Sequence, residues 1–164
     1  MTVVVADTSP INYLLLIGEV AVLPSAYGQI VIPAEVLGEL TDSHAPPGIA
    51  EWIQQRPKLL VVRHVRLTLN DLVLSQIDLG ERAAILLAQE KPNVLLLIED
   101  AAARAEANRR GSPNTGTLGM LRAGAIRQLL DLPTALKRLA DTNCRVSQTL
   151  LAEHLAEDSE RKRM

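Results

Sequence analysis

The chain has 164 residues, of which 48% are hydrophobic and 22% are charged, and its formal net charge is −2. This size and composition are typical of one soluble globular domain, and no apolar run reaches the roughly 18 residues that a membrane span requires. We expect a single domain over residues 1–158 and a short solvated tail over 159–164. The single cysteine, Cys144, excludes an internal disulfide, and residues 1–50 contain no Lys or Arg that could form the basic start of a signal peptide. Both features favour the cytoplasm.

Charge is distributed unevenly along the chain. Residues 1–50 carry five acidic and no basic residues, whereas residues 101–164 carry seven acidic and eleven basic residues. An acidic part and a basic part of one fold could form a metal-binding centre beside a surface that binds polyanions. The alternative is an uneven surface charge with no functional meaning.

The sequence predicts strands that alternate with helices. Runs rich in β-branched and apolar residues are expected to be strands at 3–6, 30–32, 59–63 and 94–98. Proline and glycine positions help to place the predicted helices at 9–17, 33–42, 48–56, 79–90, 100–110, 118–130, 133–142 and 147–157. This alternation indicates an α/β fold with a mainly parallel sheet, in which ligands bind beyond the carboxyl ends of the strands.

Acidic residues lie where this rule predicts a ligand. The first strand runs directly into Asp7 in the sequence VVVADTSP, and the strand VLLLI is followed by Glu99 and Asp100. Glu39 and Glu81 lie on predicted helices, each beside apolar residues that would face the sheet. Taken singly, each acid has an ordinary explanation, as a helix cap, a solvated residue or a partner of the helix dipole.

Taken together, the four acids indicate a metal site. Carboxylates gathered at one edge of a sheet cannot all remain ionised unless a cation neutralises them. Oxygen ligands without clustered His or Cys favour Mg²⁺ or Mn²⁺ over zinc. We expect Asp7 and Asp100 to bind the metal directly, and Glu39 and Glu81 to bind it, to hold its waters or to orient an attacking water.

Five segments, taken in order, resemble one known family. VVVADTSPINYLLLIG, IVIPAEVLGEL, LGERAAILLA, VLLLIEDAAARAEANRRG and TGTLGMLRAG are similar to the PIN domain and, more narrowly, to prokaryotic relatives of the VapC toxins, over about residues 3–155. The resemblance implies a three-layer α/β/α sandwich around a mainly parallel sheet of four to five strands. It also implies a metal-dependent endoribonuclease, a homodimer and, for a toxin of a type II toxin–antitoxin pair, a small antitoxin protein as partner.

The resemblance also assigns roles to individual residues. The acids of the family correspond to Asp7, Glu39, Glu81 and Asp100, and its hydroxyl residues near the site correspond to Ser9 and Thr117.

This sequence departs from the family pattern at two places. Residues 112–114 read Ser-Pro-Asn where the family has an apolar fifth strand, so we expect a short or irregular edge strand. Glu99 stands where relatives commonly have Asp. Because successive strand residues point to opposite sides, we assign the ligand role to Asp100 and expect Glu99 to point away. The assignment is reversed if the strand ends late.

Composition also bears on how RNA would be bound. With two Tyr, one Trp and no Phe, the chain offers few platforms on which bases could stack. Single-stranded RNA would then be held chiefly through its phosphates. The basic residues expected to contact them are Arg82, Arg104, Arg109, Arg110 and Arg122. For some of these arginines the alternative is an ordinary solvated helix position.

Two further alternatives remain open at the level of sequence. The protein could be a catalytically silent PIN fold that binds RNA or a protein partner, although the presence of all four acids argues against it. The apolar run at residues 14–17 could form part of a dimer interface or could pack into the core.

Overall fold

The structure is a computed structural model that describes residues 2–55, 60–66 and 74–164. Residue 1, the predicted helix end at Arg56 and the predicted strand start at Leu59 lie outside this range. Within the described residues, parallel strands form one five-stranded sheet in the order β3-β2-β1-β4-β5. The strands are β1 Val3–Ala6, β2 Gln29–Pro33, β3 Leu60–Arg63, β4 Val94–Leu97 and β5 Asn114–Thr115.

Helices connect the strands and cover both faces of the sheet. They are α1 Thr8–Leu16, α2 Val22–Ala26, α3 Ala34–Leu40, α4 Ile49–Gln54, α5 Leu79–Gln89, α6 Ala101–Arg109, α7 Thr117–Ile126, α8 Leu132–Ala140 and α9 Gln148–Arg163, with a 3₁₀ turn at Leu74–Gln76. The predicted α/β class with a parallel sheet is confirmed. In the described residues no helix has both the length and the apolar character needed to cross a membrane.

The sheet separates two hydrophobic clusters. On one face, Val4 and Leu97 pack with residues of α1, α7 and α8. On the other face, Val5, Leu96 and Ile98 pack with residues of α5 and α6. Successive residues of β1 and β4 therefore serve opposite faces, and this alternation decides on which side the polar residues after each strand lie.

The edge strand β5 is short, as predicted. It comprises two residues, and it is joined to β4 through backbone hydrogen bonds from Leu96 to Pro113 and from Ile98 to Thr115, both at 2.9 Å. Proline has no N–H to donate to a ladder, which restricts it to sheet edges and strand starts. The strand nevertheless fixes the start of α7 beside the end of β4.

The last helix is longer than the sequence indicates. Residues 159–164 were predicted to fray as a solvated tail, but α9 continues to Arg163. The cause lies in Asp158, which is 3% exposed and accepts charged hydrogen bonds from Arg161 and, at 2.8 Å, from Lys162. Because these residues are spaced three and four apart, their ion pairs stabilise the final turns of α9.

The short helix α2 was not predicted. It contains Pro24 and only five residues, too few to show a helical period in the sequence. The apolar run at residues 14–17 lies mostly in the core. Leu14 and Ile17 are buried, whereas Leu15 is partly buried and Leu16 is 50% exposed.

Candidate functional site

The carboxyl ends of β1 and β4 lie side by side and carry Asp7 and Asp100. The backbone N–H of Asp7 donates to the Leu97 carbonyl at 2.9 Å, which continues the pairing of the two strands past the last residue of β1. Asp7 follows Val5 by two residues, and Asp100 follows Ile98 by two, so both acids continue the face that α5 and α6 cover.

Asp7 is buried without a counter-charge. Only 2% of its surface is exposed, it forms no side-chain cap for α1, and its Oδ1 atom has no hydrogen-bond partner among the described residues. The pKa of Asp7 is raised from 3.8 to about 7, chiefly by burial and to a lesser extent by the charges of Glu39, Asp78 and Asp100, against the opposing effect of a hydrogen bond from the Thr8 backbone N–H. Asp7 thus occupies the N-cap position of α1 without making the side-chain bond of a helix cap.

Glu81 lies opposite Asp7 in the first turn of α5. Its side chain is half-buried, and its pKa is raised from 4.5 to about 7, chiefly by burial and then by the charges of Asp7, Asp100 and Asp78. Two carboxyl groups with pKa values near neutrality are thus held within the electrostatic range of each other. Such pairs are concentrated at functional sites.

Glu39 is held between α1 and α5. It lies near the end of α3, is exposed to solvent, and accepts a hydrogen bond from the hydroxyl of Thr8. Its carboxylate rests against the bare backbone of Gly80, where an added Cβ would come within 2.6 Å of Glu39 Oε1. The glycine immediately before Glu81 therefore leaves the space that the Glu39 carboxylate occupies.

Asp100 and Asp78 complete the acidic cluster, which we define as Asp7, Glu39, Asp78, Glu81 and Asp100. Asp100 is exposed and caps α6, since its Oδ2 accepts from the Ala103 N–H at 3.0 Å. Asp78 immediately precedes α5 without capping it. Sequence reasoning missed Asp78, although it stands three residues before Glu81 in the motif DLGE. In the described ranges, no three His, Cys, Asp or Glu residues are spaced to hold a metal ion directly.

Glu99 lies apart from the acidic cluster, on the other side of the β4 end. Its Oε2 accepts from both the backbone N–H and the hydroxyl of Thr117, each at 2.7 Å, and its Oε1 lies 3.7 Å from the Cys144 sulfur. Burial, followed by the charge of Glu99, raises the pKa of the Cys144 thiol to about 12, which makes it a poor nucleophile. Glu99 thus fastens α7 to the sheet.

Comparison with known families agrees with this arrangement. A family model described as a PIN domain matches residues 3–160. The chain belongs to the PIN domain family. PIN domains are generally nucleases. A comparison with curated proteins finds no match.

Ser9 and Thr117, the two hydroxyl residues expected near the site, form no hydrogen bond to the acidic cluster within the described ranges. Thr117 is buried, and it donates to Glu99 rather than to the acidic cluster. Ser9 is half-buried in the first turn of α1, and no hydrogen bond joins its side chain to a described residue. The hydroxyl that contacts an acid of the cluster belongs to Thr8, one residue earlier.

The five arginines expected to bind RNA have different surroundings. Arg109 and Arg110 both donate to Glu106, and the Arg110 side chain is only 14% exposed. Arg122 pairs with Glu157 at 2.8 Å. These contacts engage three of the five arginines in structural ion pairs.

Arg82 and Arg104 lie closer to the acids. Arg82 follows Glu81 directly and donates to the Ile77 carbonyl at 3.3 Å, while its buried Nε has no partner among the described residues. The Arg104 N–H bonds to the Asp100 carbonyl at 2.9 Å, one helical turn along α6. Of the predicted set, these two are best placed beside the strand ends.

Proposed function

We propose that this PIN domain is a Mg²⁺- or Mn²⁺-dependent endoribonuclease that cleaves single-stranded RNA at the acidic cluster. One observation carries the proposal. Asp7 is buried beside four other acidic residues, and in the part of the chain that the structure describes no Lys or Arg forms an ion pair with any of them. Such a cluster of unpaired negative charges destabilises the fold unless a cation neutralises it.

The side chains of the cluster suit a hard divalent cation. All offer oxygen atoms, and the Oδ1 atom of Asp7 is free to accept a bond. Mg²⁺ is commonly held by one or two carboxylates together with several waters, which is compatible with the absence of a closer three-residue group among the described residues. Asp7 and Asp100 would hold the ion, with Glu39 and Glu81 bound to it or to its waters. A bound divalent ion supplies an activated water and neutralises phosphate oxygens.

The surrounding residues would position these acids. Thr8 and Gly80 fix the Glu39 carboxylate between α1 and α5. The burial of Asp7 keeps bulk water from one side of the cluster, which strengthens electrostatic interactions there. The RNA strand would contact Arg82 and Arg104 through its phosphates, since the chain has few aromatic residues for stacking.

The similarity to VapC relatives extends the proposal to a biological role. We propose that the protein acts in the cytoplasm as the toxin of a type II pair, with a small antitoxin as its partner and a homodimer as its assembly. The motifs D-T-S-P at residues 7–10 and G-T-L-G at 116–119 support this assignment.

One observation favours a second function, that of a catalytically silent module that binds RNA or protein. Asp100 already serves as a helix cap, and the described acids do not form a ready three-residue metal site. A module of this kind would bind RNA without cleaving it.

Cleavage by matched variants separates the two functions. Purified full-length protein would be incubated with single-stranded RNA and Mn²⁺, with an EDTA blank to reveal contaminating nucleases. We expect Glu81→Gln to lower the cleavage rate by at least about 100-fold while RNA binding is retained. Glu90→Gln, at the exposed far end of the same helix, should cleave as the wild type does. Equal cleavage by wild type and Glu81→Gln would show that the nuclease proposal is wrong.

A further inference from the structure

A cavity of about 230 Å³ lies across the end of β4 from the acidic cluster. Its walls come from α6, from the turn between β5 and α7, and from the segment that leads into α9. The lining includes Arg104, Arg145 and His154 together with Glu99. The cavity is close to the cluster, because Glu99 directly precedes Asp100 and the Arg104 N–H bonds to the Asp100 carbonyl.

The charged groups of the cavity leave an excess of positive charge. The carboxylate in its wall, Glu99, already accepts two hydrogen bonds from Thr117. Arg104 is oriented by a bond from its Nε to Asn114 Oδ1 at 3.3 Å. Arg145 is exposed and makes no hydrogen bond or ion pair with any residue that the structure describes. Arg104 is thus fixed in place, whereas Arg145 has no polar partner within residues 2–55, 60–66 and 74–164.

Gly116 keeps this wall open. A Cβ added there would lie 3.2 Å from Glu99 Oε2 and 3.3 Å from an Nη atom of Arg104. The guanidinium group and the carboxylate therefore flank the same stretch of bare backbone. The starts of α7 and α9 also border the cavity, and helix starts carry partial positive charge that adds to that of the arginines.

We propose that this cavity binds a phosphate group of the RNA strand, with Arg104 and Arg145 as its ligands. The identity of the strand rests on the proposed function, whereas the preference for phosphate rests on the two arginines. Guanidinium groups bind phosphate through paired, charge-assisted hydrogen bonds. The strand would cross the end of β4, with one phosphate in the cavity and the bond to be cleaved at the acidic cluster.

The test measures binding alone. Fluorescence anisotropy of a labelled single-stranded oligoribonucleotide would be recorded with the full chain in EDTA, where the proposed cleavage cannot proceed. We expect Arg104→Gln and Arg145→Gln each to weaken binding about five- to tenfold at low salt. Each should also reduce the slope of log affinity against log salt by about 0.7, the value for one lost phosphate contact on a single strand.

Arg163→Gln is the matched control, because it removes the same charge. It lies at the opposite end of α9 from Ser147, roughly 24 Å away along the helix axis. At an ionic strength of about 0.1 M, where the Debye length is about 10 Å, we expect this control to change the affinity less than about twofold. An equal loss in all three variants, or no loss in Arg104→Gln and Arg145→Gln, would overturn the proposal.

Two oligonucleotides distinguish the source of the phosphate. If the cavity takes an internal phosphate, 5′-phosphorylated and 5′-hydroxyl strands should bind equally well. If it takes a terminal phosphate, the 5′-phosphorylated strand should bind more tightly, and Arg145→Gln should abolish the difference. The result is independent of catalysis: a wild type that does not cleave RNA refutes the nuclease proposal but leaves the arginine dependence of binding in place.

Discussion

In this PIN domain the buried carboxylate of Asp7 lies among acidic residues, whereas those of Glu106 and Asp158 are paired with basic residues. Asp7, Glu106 and Asp158 are 2%, 6% and 3% exposed, respectively. Glu106 accepts bonds from Arg109 and Arg110, which lower its pKa from 4.5 to about 2. For Asp158, bonds from Lys162 and Arg161 outweigh the effect of burial and lower its pKa. Among the described residues, the charges that act on Asp7 are those of Glu39, Asp78 and Asp100, and burial together with these acids raises its pKa to about 7.

Burial by itself therefore does not indicate that an acidic residue is functional. Glu106 and Asp158 are also buried, yet each is paired with basic residues one turn further along its own helix, α6 or α9, and these ion pairs stabilise that helix. Asp7 has a charge with no match in the described protein. A buried carboxylate that the protein itself does not neutralise is the feature that suggests an external cation.

The largest expected effect is on Asp7 itself. The folded protein binds the Asp7 proton more tightly than the unfolded chain does, so this residue lowers stability as pH rises from about 4 to about 7. In EDTA at about pH 8, Asp7→Asn should therefore raise the free energy of unfolding by about 2–4 kcal/mol, and near pH 4 the gain should vanish. Urea denaturation at both pH values measures the effect. An Asn variant less stable than wild type at the higher pH contradicts it.

Gly80 offers a smaller test from within the cluster. In Gly80→Ala the new methyl group would displace the Glu39 carboxylate, and we expect RNA cleavage to fall about tenfold because catalysis depends on positioning. The free energy of unfolding should stay within about 1 kcal/mol of wild type, since the carboxylate can swing into solvent and alanine favours helix. Gly38→Ala is the control, because no atom lies within 4 Å of its added Cβ. Equal cleavage by the two variants would remove Glu39 from the account.

The smallest effect is expected at the paired acid. Because the pKa of Glu106 is lower in the folded protein, its ion pairs stabilise the fold above about pH 4.5, and this stability is lost as pH falls towards 2. Glu106→Gln should lower the free energy of unfolding by about 1 kcal/mol at neutral pH, without altering RNA cleavage. Thermal denaturation beside the exposed control Glu153→Gln checks this. A gain in stability, like that expected for Asp7→Asn, would mean that the two sets of acids do not differ.

The fold could be predicted to the extent that it depends on local pattern. The strands at residues 3–6 and 94–97 are continuous apolar runs, and the acids that follow them were found because strand ends meet at one edge of a sheet. The length of α9 could not be predicted. Its last turns contain ion pairs from Arg161 and Lys162 to a buried Asp158, and nothing in the polar sequence indicates that Asp158 is buried. The hydrogen bond from Thr8 to Glu39 joins residues 31 apart, and it needed the packing of α1 against α3.

The contrast between Asp7 and Glu106 can be tested most directly by metal binding. Isothermal titration calorimetry with Mn²⁺ would be performed on wild type, Asp7→Asn and Glu106→Gln, each of the two variants lacking one buried carboxylate charge. We expect wild type and Glu106→Gln to bind Mn²⁺ with equal affinity, and Asp7→Asn to bind it at least about tenfold more weakly. Unchanged affinity in Asp7→Asn, or an equal loss in both variants, would contradict the claim that the unmatched charge of Asp7 is a metal site.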